Sequence, residues 1–167
     1  MALVRQNFAE FLKSLQTLYF ALLGGQVIAL IVFYLLPAGQ ESTLPDSGMA
    51  VRIPLVAVIL LAAAFFLGRK RIEAAREETE LKAKISAYRT AVVLRCALLE
   101  GGVLLAGIFF FLERNLLLLA FAALGVGVFL LFIPSRARIV ADLDLSTQEQ
   151  AMLDDPNVIV TEFERRP

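Results

Sequence analysis

The chain has no histidine, no tryptophan and a single cysteine. The lack of histidine removes the commonest general base and the commonest metal ligand together. A lone thiol, Cys96, cannot form an intrachain disulfide. No phosphate loop or zinc spacing is present, so a non-enzymatic protein with no cofactor and no metal is expected. Charge of one sign is not in excess either, because 16 Lys and Arg balance 16 Asp and Glu. No basic stripe carries interleaved aromatics, which argues against a nucleic-acid partner.

What the sequence does have is apolar residues, 59% of its 167 positions, with a mean hydropathy of +0.74. Soluble domains have about 45–50%. The excess is concentrated in long runs, the mark of a polytopic all-α membrane protein. Four spans are predicted, at about residues 18–36, 49–68, 91–112 and 116–133, so residues 18–133 form a four-helix transmembrane bundle. Pro37 stops the first span and Pro134 the fourth. The "ERN" turn at residues 113–115 is too short for anything but antiparallel neighbours, so the expected fold is two helical hairpins.

Before the bundle, Val4, Phe8, Phe11, Leu12 and Leu15 recur at helical spacing. Residues 1–17 therefore read as an amphipathic helix, on the membrane surface or leading into the first span, and not as a cleavable signal. Between the second and third spans, residues 69–90 contain no Gly or Pro. They offer Glu78–Lys82 and Glu80–Lys84 at i,i+4 and predict a cytoplasmic helical hairpin, with Thr79 as N-cap of the third helix. Leu81, Ile85 and Tyr88 would pack on the extension of the second span; the alternative is a solvated connector. In the tail, residues 134–167, Ser135 predicts a helix through Leu143, and Ser146 with Glu149 predicts a capping box for a second, Thr147 to Leu153. "VIVTEF", residues 158–163, has strand propensity without an evident partner in the chain, leaving a disordered end or a strand added to another protein.

Basic residues set the expected orientation. The stretch from Arg69 to Arg89 carries seven, whereas residues 37–50 carry Glu41 and Asp46 and no Lys or Arg. The positive-inside rule then places both termini and the 69–90 segment in the cytoplasm. Expected partners are the lipid bilayer and either a larger membrane complex or further copies of the chain.

Two spans resemble each other. "ALLGGQVIALIVFYLL" (21–36) and "ALLEGGVLLAGIFFFL" (97–112) are identical at seven of sixteen positions, consistent with a duplication or with ordinary span composition. Small residues at i,i+4, namely Gly25 with Ala29, Gly102 with Ala106 and Ala123 with Gly127, and Gly101 beside them, are predicted helix-packing sites.

Glu100 sits near mid-span, where a charge is costly. Gln26 lies at nearly the same predicted depth in the first span. The expected pairing is a Gln26–Glu100 hydrogen bond between helices; the other readings are a proton or ion path and a helix edge placed differently.

"LRCALLEGG", the short turn and "IPSRARIVADLDLS" together resemble small four-span inner-membrane proteins of bacteria with no assigned function, over roughly residues 50–150. The resemblance implies the four-span fold and a bacterial inner (plasma) membrane, and carries no functional residues. "ALLEGGVLLAGIFFFLE" also looks like the second helix of the rotary ATP synthase proteolipid subunit, which would imply Glu100 as a proton site. This chain lacks that family's Arg-Gln-Pro turn and its glycine-repeat helix.

Overall fold

The computed structural model describes residues 2–37 and 49–165. Among these are six helices and one pair of strands. In chain order they are β1 (Ala2–Gln6), α1 (Phe8–Leu35), α2 (Met49–Arg76), α3 (Leu81–Glu113), α4 (Leu116–Leu131), α5 (Arg136–Leu143), α6 (Thr147–Asp154) and β2 (Thr161–Arg165). The chain divides into two compact units. Unit 1 comprises residues 1–19, 67–93 and 134–167; unit 2 comprises residues 20–66 and 94–133.

Three helices, α1, α2 and α3, are long and apolar enough to cross a membrane. A fourth is reached if α4 and α5 count together. At 1.5 Å per residue the 16 residues of α4 alone cover ~24 Å, short of the ~30 Å hydrocarbon core. Phe20, Ile28, Ile31, Val32, Leu55, Ile59, Phe66, Leu117 and Leu124 are all exposed on unit 2. An apolar surface of that extent is foreign to a water-soluble monomer.

Inside unit 2, α3 runs antiparallel to α4: Phe110 clusters with Leu118, and Val103 and Ala106 cluster with Ala122. Helices α1 and α3 are parallel. A Cβ on Gly107 would meet Leu30 and Phe33, and the rings of Phe33 and Phe111 lie 5.8 Å apart between centroids. The turn between α3 and α4 is made by Arg114, in the left-handed region at φ 53°, and by Asn115, whose side chain accepts from the Leu117 N–H.

Unit 1 corrects the reading of the N-terminus as a helix over residues 1–17. Residues 2–6 are a strand, and the helix starts only at Phe8. The reason is local. Asn7 Oδ1 accepts from the Glu10 N–H at 3.0 Å, and Glu10 Oε2 accepts from the Asn7 N–H at 3.3 Å. That reciprocal cap begins the helix at Phe8, and the residues before it are free to extend. From Phe8 onward α1 is one continuous helix to Leu35.

The "VIVTEF" segment has its partner in this chain. β2 pairs antiparallel with β1, from Gln6 opposite Thr161 to Ala2 opposite Arg165. Arg5 faces Glu162, with nitrogen and oxygen 3.7 Å apart. The pairing joins segments more than 150 residues apart, which is why local sequence gives no sign of it.

The tail helices form as the capping residues predict. Ser135 caps α5, and Ser146 and Glu149 make both bonds of the capping box of α6. The third helix begins one residue later than the Thr79 cap implies, at Leu81. The expected Glu78–Lys82 and Glu80–Lys84 pairs do not form, because residues 77–80 are a turn. Lys82 and Lys84 instead reach Glu162 and Glu149. Ile85 and Tyr88 are fully buried in unit 1, as are Ala75, Ile139 and Val160, so residues 69–90 are no solvated connector.

Candidate functional site

Two sets of residues in unit 2 bear on function: the polar side chains among its helices, and the small residues that set how closely the helices approach. Gln26 is completely buried, and neither its amide nitrogen nor its oxygen has a hydrogen-bond partner. Glu100 is half-buried on α3. The predicted Gln26–Glu100 hydrogen bond is therefore absent, and this corrects the expectation from depth. Equal depth places two residues at one level; it does not turn their faces toward each other. A buried amide without a partner carries a desolvation cost of about 1–3 kcal/mol.

The polar group that does tie helices together is Arg114. Its guanidinium donates to the carbonyl of Phe33 at 3.1 Å, to that of Tyr34 at 3.5 Å and to that of Leu36. These are carbonyls at the C-terminal end of α1 that no further turn of helix can satisfy. A cation there also complements the negative end of the helix dipole. The rings of Phe110 and Phe111 lie 5.7 and 5.2 Å from the guanidinium carbon. Sequence placed Arg114 in a turn. The left-handed backbone and the α1 terminus that it meets are tertiary facts.

The small residues divide. Gly102 is buried and faces α2, where a Cβ would lie 3.6 Å from the Ala57 carbonyl oxygen, and Ala106 is buried between α3 and α4. Gly25, Gly101, Ala123 and Gly127 are exposed, and nothing lies within 4 Å of a Cβ built on any of the three glycines. Ala29 is half-buried. Those four exposed positions pack against nothing among the described residues. The closest approaches fall at Gly107 and Gly125, which sequence reasoning missed. A Cβ at Gly125 would lie 2.5 Å from Val103 Cγ2. Spacing finds small pairs without saying which way they point. Finding Gly107 would have needed the register of α1 against α3, and finding Gly125 that of the α3–α4 hairpin.

In unit 1 the polar contacts converge on the tail. Lys84 Nζ lies 2.7 Å from Glu149, Tyr88 donates to Asp142 at 3.2 Å, and Arg136 pairs with Asp154 at 2.8 Å. The Gln16 amide donates to the Pro134 carbonyl at 2.9 Å. Hydrogen bonding from Lys84 holds the Glu149 carboxyl below the usual carboxylate range, with the Ser146 bonds adding to the effect. Among the described residues no three Cys, Asp or Glu side chains converge as metal ligands would.

A scan of protein-family models finds no match to the chain, and searches of curated proteins and of solved structures return none.

Proposed function

We propose that the chain is a four-span protein of a bacterial inner membrane, with both termini in the cytoplasm, that serves as an accessory subunit or assembly partner of a larger membrane complex and not as a catalyst. The observation that carries this reading is the pairing of β1 with β2. Paired strands share one compartment, so the chain between them crosses the bilayer an even number of times. Helices α1, α2 and α3 supply three candidate crossings, and an even number calls for α4 as the fourth. Phe132 and Ile133 lengthen the apolar stretch of α4 before Pro134. The basic stretch from Arg69 to Arg89 supports the cytoplasmic side for the shared compartment.

The same strands support the partner role. A two-stranded sheet is marginal in water and leaves a row of unpaired N–H and C=O groups on each outer edge. An added strand from a partner protein would satisfy one row. Affinity isolation from native membranes tests this directly. The full chain should retain a partner protein, and a chain lacking residues 161–167 should lose it while remaining membrane-inserted. An identical set of co-purifying proteins from both chains would defeat the docking reading.

A second reading, a small oligomeric transporter or proton-conducting protein using Glu100, is favoured by one observation. Gln26 has no hydrogen-bond partner, and no ion pair among the described residues includes Glu100, so the Glu100 carboxyl is not committed to structural pairing with Gln26.

A further inference from the structure

Helices α2, α3 and α4 line an open groove of about 510 Å³ in unit 2, bounded by Leu61, Phe65, Leu99, Val128 and Phe132 and by one charged residue, Arg95. That volume falls within the range of ligand pockets, about 300–1,000 Å³. The Arg95 guanidinium carbon stands 4.7 Å from the centroid of the Phe132 ring. Its Nε is buried and has no hydrogen-bond partner, and no carboxylate pairs with Arg95 among the described residues. Stacking on an aromatic face leaves the edge of a guanidinium, with its N–H donors, open to an anion.

We propose that this groove binds one anionic phospholipid, with an acyl chain along Leu61, Leu99 and Val128 and the phosphate on Arg95. The apolar walls and the single uncompensated cation match the two parts of such a lipid. Planar, bidentate hydrogen bonding to phosphate is the characteristic use of arginine. A zwitterionic headgroup brings its own cation, so net negative charge decides the preference. The inference rests on the proposed membrane insertion of unit 2.

The test uses the full chain in phosphatidylcholine vesicles containing a small fraction of phosphatidylglycerol with a diazirine on its acyl chain, beside the same probe built on phosphatidylcholine. After photolysis, adducts on peptides covering residues 58–66 and 128–132 should favour the phosphatidylglycerol probe by about fivefold, the effect of roughly one basic residue at an anionic lipid. Arg95→Gln should abolish the preference. Val128→Phe, which fills the groove and leaves Arg95 in place, should remove the adducts themselves. Equal labelling by the two probes, or a preference unchanged in Arg95→Gln, would overturn the site while leaving insertion intact. No labelling of exposed α1 residues such as Ile28 and Ile31 would instead overturn insertion, and this inference with it.

Discussion

Lys84, on the first turn of α3, and Glu149, on the first turn of α6, are joined by a 2.7 Å ion pair with only 12% and 19% of their side chains exposed. The same carboxylate accepts from the Ser146 N–H at 2.8 Å, so one side chain both caps a tail helix and ties it to α3.

The pair gives unit 1 a pH dependence. The folded-state pKa of Glu149 lies below its unfolded value. Its contribution is therefore present in full above the unfolded carboxylate pKa, and it is lost as pH falls through the depressed folded value. Unit 1 should lose stability on acidification below about pH 4.5, and Lys84→Met should flatten that loss while lowering stability near neutrality by about 1–2 kcal/mol. Hydrogen exchange of the tail helices across pH measures it. An acid profile identical in Lys84→Met and wild type would assign the dependence to other carboxylates.

Helix packing makes a paired prediction. At Gly125 an added Cβ meets Val103 on a stiff β-branched side chain, so Gly125→Ala should destabilise unit 2 by about 1–3 kcal/mol. At Gly127, one half-turn on, a Cβ meets nothing, and Gly127→Ala should be neutral or gain a few tenths of a kcal/mol from helix propensity. Thermal unfolding in detergent distinguishes them. Equal effects would mean that the α3–α4 approach is looser than these contacts imply.

What was legible in the sequence followed from local chemistry. The Ser135 cap and the Ser146–Glu149 box each involve residues within three positions, and both tail helices form where these residues set them. The apolar runs also marked the long helices. Most of the misses come from contact between distant segments. The strand at residues 161–165 depends on residues 2–6, Lys82 and Lys84 turn to the tail, and Arg114 serves the end of α1. The Asn7–Glu10 cap was local and readable, an N-x-x-E just before an apolar-periodic run, and it would have excluded a helix over residues 1–6. For Gln26 and Glu100, depth was legible and azimuth was not.

Glu100 separates the two functional readings. If it is part of a proton path, Glu100→Gln should abolish proton flux in sealed vesicles because an amide cannot titrate, and a hydrophobic carbodiimide should modify the wild-type carboxyl. If the chain is an accessory subunit, vesicles should show no flux for either protein, and Glu100→Gln should leave partner retention unchanged. Flux through the wild-type protein that vanishes in the amide variant would transfer the assignment to the transport reading.

The even number of crossings implied by the β1–β2 pair is the central claim, and cysteine accessibility measures it most directly. Cys96 is buried and is replaced by alanine to clear the background. Single cysteines are then placed at Ser42, between α1 and α2, and at Gln148, an exposed residue of α6 that spares the Ser146 cap. An impermeant maleimide should label Ser42→Cys in intact cells and Gln148→Cys only after lysis. Labelling of both from outside would place the tail across the membrane from β1, leaving three crossings and contradicting the strand pairing on which the account stands.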